Sequence, residues 1–176
     1  LVSALLRAKE LASKGVELFA SPALKFFLYN DINRERFKSD PKCLENFILL
    51  DDNDIWTALK VWCNHNDIIL ATLSQGMVNR EIFKVEVSPT PCTEERLNTI
   101  SERIAKQLHI SKEDTRYFIS TPSIEKNMYN PADDSIDILY NDGSTTNIAE
   151  ASDMLHLSVL SKKVKKYYIC YLREKK

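Results

Sequence analysis

Two basic side chains stand four residues apart in Asn79-Arg80-Glu81-Ile82-Phe83-Lys84, where a helical pattern gives way to an alternating one. A guanidinium fork and an ammonium on neighbouring backbone can clamp a phosphate. Ligands often bind where two structural parts meet. Arg80 and Lys84 are therefore the candidate phosphate-binding residues. The plainer alternative is an ion pair bracing the two parts, with Glu81 or Asp67 as the acid.

Other chemistry is harder to assemble. The three histidines, His65, His109 and His156, are far apart, and none has a second ligand at helical spacing. His65 and Asp67 are two residues apart, which does not place them on one helix face. That pair reads as a capping or solvent feature. His109 ends a helical pattern, where an imidazolium complements the negative end of the dipole. Asp51, Asp52 and Asp54 could hold a cation, but they open a helix, and capping explains them more simply. Asp133-Asp134 follows Pro131, a turn signal. No GxSxG, HExxH, Walker or EF-hand pattern is present. The expectation is no catalytic residue and no metal ligand in this chain.

The four cysteines, Cys43, Cys63, Cys92 and Cys170, form no CxxC pair. Cys63 and Cys170 lie in apolar patterns and read as buried free thiols. Such usage suits a reducing cytoplasm.

The elements that position these residues fall into two parts. From Leu1 to Leu18 the apolar spacing is helical, and Ala23 to Asn30 forms a short second helix. Residues 31–42 read as a loop with some helical turns. Asp51 to Asp54 open the clearest helix, with Ile55, Ala58, Leu59 and Trp62 on one face. Asp67 to Met77 is another. Ile82 to Val87 then alternates as a strand does. A helix follows from Thr93 to about Leu108, then strands at Arg116–Ile119 and Ser135–Tyr140. Asn141-Asp142-Gly143 is a hairpin signal leading to a short strand near Thr145 to Ile148. Residues 149–161 read as helix and Lys166–Leu172 as a last strand. The expected fold class is α+β: a helical domain, 1–80, then an α/β lobe, 81–176, with a ferredoxin-like βαββαβ order.

Composition sets outer bounds. The chain has 176 residues, 44% hydrophobic and 28% charged, enough for a substantial core. With three glycines it lacks a glycine-rich phosphate loop. No apolar run approaches the roughly 20 residues of a membrane span. The net charge of −1 gives no global field for nucleic acid. It is unevenly spread: residues 125–155 carry seven acids and one base, and residues 162–176 seven bases and one acid. The start at Leu1 lies inside a helical pattern and lacks signal-peptide features, as in a chain cut from something longer.

Two stretches carry a resemblance. Leu50 to Trp62, with its Asp51-Asp52-Asn53-Asp54-Ile55 opening, and then Val78 to Lys84, resemble HD-superfamily phosphohydrolases. The likeness is to the branch containing deoxynucleoside triphosphate triphosphohydrolases, and most to HD-domain proteins of Bacteroides-type bacteria. It implies that residues 1–80 end an all-helical HD core and that residues 81–176 are its C-terminal lobe. In that family a His, a His-Asp pair and a distant Asp bind the metal, all upstream of the matched region. This sequence has no His followed directly by Asp. The resemblance thus implies no cofactor in this chain and a divalent metal in the parent protein. It implies an upstream HD catalytic core and a homo-oligomer as partners, and Arg80 and Lys84 as contacts to an activating nucleotide. A membrane is not expected as a partner, and nucleic acid is disfavoured. Two other readings stay open: a stand-alone α/β regulatory or protein-interaction module, and an RNA-binding ferredoxin-like sheet.

Overall fold

The computed structural model describes residues 1–126, 137–147 and 164–174. The chain divides into two compact units. The first comprises Leu1–Lys84, Glu95–Ser120 and the chain from Cys170 onward, and the second Val85–Glu94 and Thr121–Ile169.

Six helices open the first unit: α1 (Val2–Ser13), α2 (Pro22–Tyr29), α3 (Arg34–Ser39), α4 (Pro41–Leu49), α5 (Asp52–Trp62) and α6 (Ile68–Val78). Their starts are written in side chains. Ser21, Asn33, Asp40 and Asp67 each accept from a backbone N–H of the following turn. At α5 the capping is reciprocal. Asp51 accepts from the Asn53 and Asp54 amides, and Asp54 accepts from the Asp51 amide. The first helix stops at Gly15, whose φ of +82° lets the Val16 amide reach the Leu11 carbonyl at 3.0 Å. Residues 31–42, expected as a loop with some helical turns, contain α3 and the start of α4. Their Asn33 and Asp40 caps compensate for weak apolar patterning.

The core gathers where α1 packs on α2 and α6, and α5 on α6. Ala8, Leu59, Trp62, Leu70 and Ile69 are its centre, all essentially inaccessible. Ala58, Leu59 and Trp62 face inward as expected, while Ile55 is half-buried. By contrast α4 leaves Leu44, Phe47, Ile48 and Leu49 exposed.

Helix α7 (Glu94–Leu108) closes the first unit, with Ile100 and Ile104 buried. The next segment is a correction. Arg116–Ile119, expected as a strand, is a 3-10 helix (Glu113–Tyr117) followed by a two-residue strand, β2 (Ile119–Ser120). The Ser111 hydroxyl donates to the Asp114 carboxylate and accepts from the Asp114 amide, winding the turn. Tyr117 and Phe118 are both buried, so the run imitates a two-faced strand. The Thr115 hydroxyl donates to the Lys112 carbonyl, so Ser101 must donate to Thr115 at 2.7 Å. That buried bond ties α7 to the turn.

Strand β1 (Lys84–Ser88) begins two residues later than its pattern suggests. The last strand, β6 (Val164–Tyr171), pairs antiparallel with β2 through Ile119↔Tyr171. It also pairs with β3 (Ser123–Lys126) through Ser123↔Tyr167. The sheet order is β1-β6-β2, with β3 also on β6. In the second unit β4 (Asp137–Leu139) and β5 (Thr145–Asn147) form the expected hairpin. Gly143 takes its φ of +85°, and the Tyr140 amide donates to the Ser144 carbonyl. The chain is thus α+β. Among the described residues, however, the strands make two separate sheets, not the single sheet of a ferredoxin-like lobe. Ser135, Ile136 and the helix expected at 149–161 lie outside the described residues.

Candidate functional site

The end of α6 sets the position of Arg80. Its φ is +59°, the left-handed region where side chains other than glycine are strained. The Glu81 amide reaches the Gly76 carbonyl at 2.8 Å across it. This is the helix termination that Gly15 serves at α1 and His109, with φ +53°, at α7. An arginine in a glycine slot is a cost of order 1 kcal/mol that the fold tolerates. Arg80→Gly is therefore expected to raise stability by about 1 kcal/mol, and the melting temperature by about 2–4 °C. A thermal melt showing a loss would mean that the arginine braces the fold through its side chain.

From Arg80 the chain runs through Ile82 and Phe83 to Lys84. The Phe83 ring lies 6.4 Å from Phe118, anchoring the segment inward, while Lys84 is exposed. Two clefts flank this segment. One, of about 530 Å³, is lined by Gln75, Arg80, Ile82, Phe83, Leu172 and Glu174, among others. The second, of about 520 Å³, is lined by Lys84, Arg96, Thr99, Arg103, Arg173 and Glu174, with Ile100 and Tyr171 as its apolar floor. Arg80 and Lys84 therefore line different clefts. Arg173 and Glu174 border both.

Four cations and one carboxylate line the second cleft. The Lys84 ammonium and the Arg103 guanidinium lie 5.6 Å and 5.4 Å from the centre of the Tyr171 ring. Arg103 Nη2 donates to the Leu172 carbonyl at 2.7 Å, and Nη1 lies 3.5 Å from a Glu174 carboxylate oxygen. Pattern reading misses Arg96, Arg103 and Arg173. A signal exists for the first two: they are seven residues apart, two turns of α7, on either side of buried Ile100. Arg173 carries no such signal, because only the return of β6 brings it here.

The other candidates fall to structural duty. The His65 Nδ1 accepts from the Asp67 amide at 2.9 Å, while Asp67 caps α6 and holds Arg7. Asp51 lies below its usual pKa because Asn53 and the Asp54 and Asn53 amides donate to it, as a cap requires. His109 is a helix terminator. All four cysteines are free; Cys43 is the buried one, and Cys63 and Cys170 are only half-buried, contrary to expectation. Among the described residues no group of three or more His, Cys, Asp or Glu side chains comes together to hold a metal ion, nor is any helix long and apolar enough to cross a membrane. His156 and Asp133-Asp134 lie outside the described residues.

No family model matches this chain, and no curated protein matches it. A solved structure does. The crystal structure of a phosphohydrolase from Bacteroides thetaiotaomicron VPI-5482 superposes with a TM-score of 0.92 over 98% of this chain, at 69% sequence identity. This chain spans 43% of the length of that one.

Proposed function

We propose that this chain is the C-terminal portion of a metal-dependent phosphohydrolase of the HD type that acts on nucleotides. The observation that carries the reading is the likeness to the Bacteroides phosphohydrolase, at 69% identity over nearly the whole chain. Because the chain spans 43% of that protein, the larger part of such an enzyme lies outside it. In this reading the ligands of the divalent metal belong to the upstream HD core that the resemblance implies. Residues 1–80 would end the catalytic core, and residues 81–176 would supply a supporting and oligomerising lobe in the cytoplasm. The exposed Leu44, Phe47 and Ile48 of α4, at i, i+3 and i+4, are the kind of face such a core would cover.

In this reading Arg80 and Lys84 contact the phosphates of a bound nucleotide. The test uses the full-length protein, a panel of nucleoside triphosphates, and Mn²⁺ or Mg²⁺. Phosphate release that a chelator abolishes is expected, and its absence across the panel sinks the hydrolase reading. Nucleotide at 100 times its Kd should stabilise the protein by about 2.7 kcal/mol. Arg80→Ala and Lys84→Ala should remove most of that shift. If both variants keep the wild-type shift, their nucleotide contact is wrong.

A further inference from the structure

Strand β6 ends at Tyr171, and Leu172, Arg173 and Glu174 beyond it carry no regular structure. All three nevertheless line the cleft that holds Arg80. Irregular backbone keeps a fixed shape only where something outside the sheet holds it. Each residue left free costs roughly tenfold in any equilibrium that must order it again.

Helix α7 supplies the hold. Arg103 Nη2 donates to the Leu172 carbonyl at 2.7 Å, and Gln107 Nε2 donates to the Arg173 carbonyl at 3.3 Å. Residues four apart lie on one face of a helix, so α7 presents two donors to two successive carbonyls. The Leu172 amide in turn donates to the Phe118 carbonyl at 3.1 Å. Phe118 is fully buried, and its ring lies 6.4 Å from that of Phe83, itself a residue of the cleft. Arg103 is fixed before any ligand arrives: its guanidinium lies 5.4 Å from the centre of the buried Tyr171 ring, and it keeps 24% of its side-chain surface. It brings a charged donor at the shorter distance, so it carries more of the hold than Gln107. The pair with Glu174, 75% exposed and 3.5 Å away, adds little. Neither Arg103 nor Gln107 lines the cleft of Arg80, so any influence they have on it passes through the backbone of residues 172–174.

We infer that Arg103 and Gln107 are positioning residues for the cleft of Arg80: they order its Leu172–Glu174 wall in advance, so that a nucleotide bound there does not have to order it. This rests on the nucleotide reading above and adds to it two residues of another helix that touch no ligand. Losing the hold leaves every group of the cleft in place and makes binding pay for the wall.

The experiment is calorimetric titration of the full-length protein with dATP, dCTP, dGTP and dTTP in turn. A chelator suppresses metal-dependent hydrolysis, and the temperature is one at which circular dichroism shows every variant folded. Arg103→Met keeps the apolar length of the side chain and removes its donors; it should raise Kd about tenfold. Gln107→Ala should raise it about threefold, as the weaker tie. Arg103→Lys keeps a cationic donor and should stay within about threefold of wild type, a rescue that loss of packing alone would not give. Lys112→Ala removes an exposed pair with Glu102 and should change nothing. Hydrogen exchange reads the wall directly: the Leu172 amide should exchange about tenfold faster in Arg103→Met, and bound nucleotide should restore its protection. Wild-type affinity in Arg103→Met overturns the inference alone, as does an Arg103→Lys variant no tighter than Arg103→Met, or a Leu172 amide equally protected in both proteins. A wild type that binds none of the four nucleotides sinks the nucleotide reading, and the positioning role falls with it.

Discussion

Arg7→Met should destabilise the protein by about 3–5 kcal/mol at pH 7, the range for removing one partner of a buried ion pair. Arg7 is 9% exposed, in the middle of α1. Its guanidinium makes a two-point fork with Asp67, Nε to Oδ1 at 3.1 Å and Nη2 to Oδ2 at 2.6 Å. Glu10 and Asp114 approach Nη1 at 3.3 and 3.6 Å. One cation thus binds three acids drawn from α1, the start of α6 and the 3-10 turn. The Tyr117 hydroxyl donates to Glu10, and Lys14 and Arg116 add two further cations at 2.6 and 3.3 Å. A methionine would fill the volume but leave the acids facing one another. Asp67 would keep its cap on the Leu70 amide and lose its counter-charge. Urea denaturation measures the change; a midpoint equal to wild type would show that the network is dispensable.

The same network fixes how stability depends on acidity. Lys14, then Tyr117, donates to Glu10 and holds its pKa down to about 2, with Arg7 adding its charge. Burial pushes Asp67 up, but the Arg7 bonds and the Leu70 amide outweigh it and leave the group below its ordinary value. Depressed carboxylates contribute stability above their unfolded pKa of roughly 4 and lose it as pH falls through the folded value. The wild type should therefore weaken from about pH 4.5 down towards 2. In Arg7→Met the depression of Asp67 largely vanishes, so the gap between the two proteins should narrow across that window.

Local chemistry made some of this legible in advance, and tertiary geometry hid the rest. Asp51 and Asp67 announce their helices, because a cap is decided within four residues of chain. Asn141-Asp142-Gly143 does the same for its hairpin. Helix α3 shows in the sequence only as helical turns within a loop, because it is six residues long and buries none of them, so no apolar period marks its bounds. Tyr117-Phe118 misled because two adjacent buried aromatics look like a two-faced strand whether or not the backbone is extended. Arg80 and Lys84 could be singled out from the change of period around them. That they line separate clefts could not, since it depends on where Arg173 and Glu174 return. Arg103 and Leu172 are 69 residues apart and meet only through the pairing of β6 with β2.

Trp62→Ala should cost about 3–5 kcal/mol, the range for truncating a buried large aromatic residue. The side chain is 1% exposed at the end of α5. Its indole N–H donates to the Phe19 carbonyl at 3.0 Å, across 43 residues of sequence. Two losses therefore combine: a cavity between packed helices, and a partly buried carbonyl left without its donor. Trp62→Phe separates them, because it keeps most of the apolar volume and removes only the N–H; it should cost about 1–2 kcal/mol. The order alanine, then phenylalanine, then wild type in melting temperature is what the packing requires. For a domain whose whole stability is about 5–15 kcal/mol, the alanine variant should stand close to unfolding at physiological temperature. The protein has a second tryptophan, Trp56, which is 43% exposed. In folded Trp62→Phe the remaining emission comes from that solvent-facing ring, so the spectrum should move to the red while circular dichroism stays native. An alanine variant that melts with the wild type, or a phenylalanine variant whose emission stays blue, would place Trp62 outside the core.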